Sequence, residues 1–359
     1  MTYKILDYFC FNRKNNVVHL EIEPLKWFNR FSLFFGYSIS SRGLLRIYNL
    51  FYAFLLVLHA FYQIFKFLIL MGNSTFFVRL NFIMYYFSQL IYLFAIHVYG
   101  HRMHDFINSM STDLTLRQKK IIQWISILGW IPILIHRISF TVYRIVYGNL
   151  LSEYIIEIVW KSLHVSHISH ALVFYFISLV TCYFSCSKLL LVIKNSKDPL
   201  MMTQIITKIE KQIKGINRIS SIPFFILLPY LFLCFPAYSA PKDFNTIFLR
   251  LIVMFMIIYC MMLLLTVFTA IIFKKKLESQ RMTVIEKLMT SDEAKLLMTN
   301  EWNICITRLF DEKLFDFSVI SLFSIDFSFL TSFSSALISY SILFYQLQNS
   351  TIVNQTTPI

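Results

Sequence analysis

Seven apolar runs are each long enough to cross about 30 Å of hydrocarbon as a helix. They are Ile47–Met71, Phe76–Tyr99, Ile121–Tyr147, His164–Ile193, Ser220–Ala240, Ile247–Phe273 and Leu322–Leu347. Within these runs the apolar residues come in blocks rather than at amphipathic spacing, so a soluble core cannot take one face and water the other. Only 14% of the residues are charged and 57% are hydrophobic, against roughly a quarter charged in soluble domains. The expectation is an all-α polytopic membrane protein with seven transmembrane helices, since a helix satisfies its own backbone in lipid.

The loops carry the orientation. Lys and Arg number seven before the first span, four in 100–120, seven in 184–219 and eight in 274–321, most of the 33 in the chain. Positive loops stay inside, which predicts a cytoplasmic N-terminus and an extracellular C-terminus. The Asn-x-Ser/Thr sequons at Asn73, Asn349 and Asn354 all fall on the opposite face, the side on which glycosylation occurs. Cys10, Cys182, Cys186, Cys234, Cys260 and Cys305 fall in spans or on the cytoplasmic side, so no disulfide is expected. The net charge of +14 belongs to these loops, and without zinc-finger spacing or a recognition helix it gives no reason to expect a nucleic-acid partner.

The resulting organisation is a cytoplasmic segment 1–46, six spans over 47–273, a cytoplasmic segment 274–321, a seventh span 322–347 and an extracellular tail 348–359. Catalysis has little support. His101 and His104 fall at the cytoplasmic end of the second span, whereas His164, His167 and His170 start from the outer end of the fourth, so they do not form an evident metal set. There is no His-Glu-x-x-His and no Gly-x-Ser-x-Gly, and with 7 Gly there is no phosphate-cradling loop. No enzyme and no cofactor is expected.

Two cytoplasmic stretches read as amphipathic helices. One is 200–219, with Ile205, Ile206, Ile209, Ile213 and Ile216 opposite Lys208, Lys211 and Lys214; the other starts near Ser291 and carries Leu296, Leu297, Trp302, Ile304 and Leu309. Each suits either a membrane-surface helix or an oligomerisation layer. Lys274, Lys275 and Lys276 mark contact with membrane lipid.

The last span is different in kind. Ser332, Ser335 or Ala336, Ser339, Leu343 and Gln346 share one helical face at three- and four-residue spacing. Several copies around an axis would line a narrow conduit, with Leu343 as an apolar ring and Gln346 as a polar one. A tight helix–helix interface inside one subunit uses the same small residues, and on the residues alone the two readings stand level.

The stretch Leu322-Phe323-Ser324-Ile325-Asp326, then Ser339-Tyr340, five residues, and Gln346-Leu347, resembles the C-terminal signature of insect gustatory receptors: Thr-Tyr, five hydrophobics, Gln-Phe. Tyr340 and Gln346 match. Ser339 stands for Thr, Leu347 for Phe, and Ser321 where that family often has Gly.

The resemblance implies a ligand-gated cation channel opened by a small-molecule tastant. It implies a tetramer of this chain or of related subunits, with the last span around the pore, and a place in the plasma membrane of gustatory neurons, in dendrite or axon. Ser339, Leu343 and Gln346 would line the pore. A ligand pocket in the outer half of the bundle would draw on Tyr143, Trp160, His164, His167 and Tyr175, which offer apolar surface with polar handles. A metabotropic receptor, which predicts a cytoplasmic C-terminus, and a small-molecule transporter, which predicts flux without channel currents, are the alternatives. The chain lacks the Asp-Arg-Tyr motif of the first and the Gly/Pro-broken half-helices of the second.

Overall fold

Six of the seven apolar runs fall on long helices, and most of the fifth, Ser220–Ala240, lies outside the described residues. The computed structural model describes residues 25–34, 37, 44–69, 76–147, 166–222, 224–226, 228, 246–290 and 300–356. In order these are α1 (Lys26–Phe34), α2 (Leu44–Ile69), α3 (Phe76–Ser111), α4 (Leu116–Tyr147), α5 (Ser166–Asn195) and α6 (Pro199–Gly215), which continues into a π-helical turn (Ile216–Ser220). Then follow α7 (Thr246–Thr290), α8 (Asn300–Leu309), a 3-10 turn (Glu312–Phe315), strands β1 (Ser318–Val319) and β2 (Phe323–Ser324), and α9 (Phe327–Thr356). The strands form a minimal antiparallel hairpin with Ser318 opposite Ser324 and Val319 opposite Phe323.

Local chemistry sets the helix starts. Thr115 and Gln118 make a reciprocal capping box at α4: the Gln118 N–H donates to Thr115 Oγ1 at 3.3 Å, and the Thr115 N–H to Gln118 Oε1 at 2.9 Å. Asp198 caps α6 by accepting from the Leu200 N–H at 2.9 Å, and Pro199 follows at the first helical position, where no N–H is needed.

α5 is the central element, packed on α3, α4, α6 and α7. Three described stretches, Arg46–Lys66, His167–Asn195 and Ile257–Thr290, are long and apolar enough to cross a membrane by length and composition. The one in α5 is 61% buried inside the subunit and the other two 33%, which makes α5 the core helix and leaves α2 and α7 with apolar flanks facing outward. Phe51, Phe54, Leu58, Phe61 and Phe65 form such a flank on α2, a stripe that suits lipid and not water. α4 lies so close to α5 that a Cβ on Gly129 would stand 2.6 Å from Val173 Cγ2.

Several helices outrun their expected spans. α3 continues to Ser111 instead of Tyr99, and α7 to Thr290 instead of Phe273, so the bundle extends into a layer completed by α6, α8, the 3-10 turn and the hairpin. The stretch 200–219 is helical and buries Ile205, Ile206, Ile209 and Ile213 in that layer. α8 buries Trp302, Cys305 and Leu309 against it; residues 291–299, where its start was expected, lie outside the described residues. The N-terminal segment contributes a helix to the bundle itself, with Leu25, Phe28 and Ser32 of the α1 region fully buried, chiefly against α4.

Candidate functional site

The final helix is held by its entry and free along one face. Asp326 is its N-cap: Oδ1 accepts from the Phe329 N–H at 2.8 Å and Oδ2 from the Ser324 hydroxyl at 2.8 Å. This cap, directly after the hairpin, is why the helix begins at Phe327 and not at Leu322. Phe333 is buried, and Phe329 and Leu337, four residues to either side, pack with it on the core. On a helix turning 100° per residue the opposite face carries Ser332, Ser335, Ser339, Leu343 and Gln346, and all five are exposed in the single subunit. Leu343 is 47% exposed and Tyr340 51%.

A short polar network fixes the hairpin beneath α9. Asn217, in the π-helical turn, donates from Nδ2 to the Asp316 carbonyl at 2.8 Å and accepts at Oδ1 from the Ser318 N–H at 2.8 Å. Ser221 Oγ accepts from the Ile320 N–H at 2.9 Å. Lys274 of α7 pairs with the Asp316 carboxylate. Through these bonds α6 and α7 hold the backbone that leads into the last helix. The sequence reading marked Lys274 only as a lipid-facing charge and did not mark Asn217 or Ser221, because an Asn in an amphipathic helix carries no signal for two backbone partners about a hundred positions away.

The hairpin turn is strained. Ile320 and Ser321 have φ of 50° and 58°, and the Leu322 N–H closes the turn on the Val319 carbonyl at 2.9 Å. Two consecutive left-handed residues make the tight hairpin turn that favours Asn and Gly, and Ser321 stands where the gustatory signature often has Gly. Replacing it, as Ser321→Gly, is expected to stabilise the protein by about 1 kcal/mol, read as a higher thermal midpoint of the purified protein in detergent.

A second polar cluster lies inside the bundle. The Ser32 hydroxyl donates to the Phe28 carbonyl at 2.7 Å, so its oxygen accepts from His170 Nε2–H at 2.7 Å. The other ring nitrogen of His170 then accepts from the Tyr92 hydroxyl. Phe28, Trp130 and Tyr37 surround the ring at 4.7, 5.8 and 5.2 Å between centroids. His167, one turn earlier, reaches Ser88 Oγ at 3.4 Å and packs edge-on to Tyr85. Tyr92 lies about 24 Å along α3 from Phe76 but about 14 Å from His101, so the cluster is nearer the His101 end of that span than its other end.

The expected pocket residues separate. His167 belongs to this cluster, whereas Tyr175 lies about 12 Å further along α5, on Phe224 with ring centroids 4.9 Å apart; both are fully buried. Tyr143 is in the last turns of α4, and Trp160 and His164 lie outside the described residues, as does Asn73. Asn349 and Asn354 fall within α9, which extends beyond Leu347 into the expected tail. The sequence reading missed α1: its Phe28 and Ser32 complete the cluster around His170, and the signal available was the short apolar set Trp27, Phe28 and Phe31, interrupted by Asn29 and Arg30.

No protein-family model matches the chain, and no curated protein matches it. Among solved structures it is similar to the insect olfactory receptor OR5 from Machilis hrabei. The likeness has a TM-score of 0.67 at 14% identity and covers 90% of this chain and 98% of that one. The same receptor in complex with eugenol gives a TM-score of 0.58 at 14% identity with the same coverage. This chain therefore has the all-α fold of that insect olfactory receptor.

Proposed function

We propose that the chain is a subunit of a ligand-gated, non-selective cation channel, an insect chemoreceptor of the gustatory kind, assembled as a tetramer from itself or related subunits. The observation that carries this reading is the face Ser332, Ser335, Ser339, Leu343 and Gln346, which is left exposed on the last helix while the other face packs on the subunit. Four copies turning that face to a common axis give a conduit with Leu343 as the narrow apolar ring and Gln346 and the serines as polar lining. The seven-span topology with the N-terminus inside, the membrane-lipid contact at Lys274–Lys276 and glycosylation of the outer sequons belong to the same reading.

An apolar ring blocks ions by excluding water, and widening it by a few ångströms admits water and cations together. A ligand opens it only if it binds the open state better. Moving the gate from about 1:99 to 99:1 takes roughly 5.5 kcal/mol of differential binding, which four equal pockets supply at about 1.4 kcal/mol, or tenfold, each. That modest demand suits an apolar pocket with few polar handles. A small organic ligand is supported by the similarity to a receptor solved with eugenol. Taste over smell is supported by Tyr340 and Gln346 in the C-terminal signature.

The test is expression in cells and a panel of bitter compounds and sugars. One or more should evoke an inward current that reverses near zero voltage and does not depend on G proteins. Flux without current would favour a transporter, and a response abolished by blocking G proteins a metabotropic receptor.

A further inference from the structure

α7, the 3-10 turn and the residue after it line an open cleft of about 520 Å³ just below the end of the Ile247–Phe273 run, within the 300–1,000 Å³ of small-molecule sites. Its deepest charged wall is Arg281, only 8% exposed. That side chain donates from Nη1 to the Asp311 carbonyl at 2.6 Å, and its buried Nε has no partner. Arg281 has no carboxylate in ion-pair contact among the described residues, and a guanidinium this far from water is costly unless an anion completes it.

The acidic groups in the wall do not fill that role. Lys274 takes Asp316 directly and Glu278 at 3.9 Å. Glu312 is exposed, as is Lys313. The wall as a whole is neutral, with Lys274, Arg281 and Lys313 against Glu278, Glu312 and Asp316; Lys274 takes two of the carboxylates, so Arg281 and Lys313 are the cations left to meet an anion. Nor do these carboxylates, among the described residues, converge into a metal site.

We infer that this cavity binds a phosphate-bearing anionic headgroup, with Arg281 as the buried fork and Lys313 as the cation at the rim. A guanidinium presents parallel N–H donors that match phosphate oxygens. The volume exceeds what one inorganic phosphate needs and suits a phosphorylated polyol. Lys274 is in the wall, at the point where α7 leaves the apolar run, so a lipid of the cytoplasmic leaflet can deliver such a headgroup. Bound there, it would bridge α7 to the turn that leads into α9.

The test measures binding to the purified full-length protein and is independent of conduction, so it stands or falls apart from the channel reading. Two probes are used: soluble inositol trisphosphate, and nanodiscs of phosphatidylcholine with or without phosphatidylinositol bisphosphate. Both probes should bind, with the soluble one weakened roughly tenfold to a hundredfold by Arg281→Gln and severalfold by Lys313→Gln. Lys120→Gln, exposed at the start of α4 and outside the cavity wall, should leave that binding unchanged. Lys313 is exposed, so its variant folds even if Arg281→Gln does not. Binding of the soluble probe alone supports the site with a free phosphorylated polyol as its source. Absence of binding to both probes, or binding that neither cavity variant alters, overturns the inference.

Discussion

Replacing Leu343 by serine is expected to raise ligand-free cation conductance about tenfold or more while leaving surface expression unchanged. In the proposed tetramer the substitution changes four side chains at one level of the conduit at once. A serine ring is wetted where a leucine ring is not, and lowering the barrier by about 1.4 kcal/mol raises conduction tenfold. Little stability is at stake, because Leu343 is 47% exposed in the subunit and is not part of its buried core. The comparison is Leu343→Met, which keeps an apolar ring of similar volume and should conduct only when ligand is present. Whole-cell recording without ligand reads the difference directly. If the serine variant is as silent as the parent, Leu343 is not the gate and α9 does not line the pore with this face.

The second large effect is expected at Asn217. Leucine has the same branched arrangement of heavy atoms as asparagine but neither donates nor accepts, so Asn217→Leu leaves the Asp316 carbonyl and the Ser318 N–H without their partner in a partly buried place. Each orphaned group costs about 1–3 kcal/mol, giving roughly 2–4 kcal/mol for the pair. Thermal unfolding in detergent should show this as a drop of several degrees, and ligand-evoked current should fall because the hairpin is no longer tied to α6. Asn303, exposed on α8, provides the control substitution. A midpoint for Asn217→Leu indistinguishable from that of Asn303→Leu would mean that the clamp contributes nothing.

The helices themselves were legible because an apolar run of twenty residues has few other solutions, and the helix ends were less so. α3 and α7 run on past their spans because the residues that follow, such as Met103, Ile107, Met110, Leu277 and Ile285, still bury an apolar face, though against protein and no longer against lipid. Hydropathy marks where the run ceases, not where the helix does. The serine face of α9 could be read from spacing alone, since i, i+3 and i+4 positions need no knowledge of the rest of the fold.

What stayed hidden depends on distant pairs. That Ser32 and Tyr92 converge on His170, or that Asn217 holds residues 316 and 318, follows from how helices pack and leaves no local trace in the residues concerned. His167 and Tyr175 show the same limit from the other side. They share a helix and a chemical character, yet lie about 12 Å apart along it with different neighbours. The Gly expected before Leu322 was a real clue, since Ser321 occupies the left-handed conformation that a glycine accepts without strain.

The most direct measurement is conduction by the purified chain, with no other protein present, in a planar bilayer. A ligand found to evoke currents in cells should open discrete cation-conducting events there, and Leu343→Ser should produce them without the ligand. A bilayer that stays silent for both the parent with ligand and the serine variant without it, while the same preparation elutes as a folded tetramer, would contradict the proposal that this chain is itself the channel.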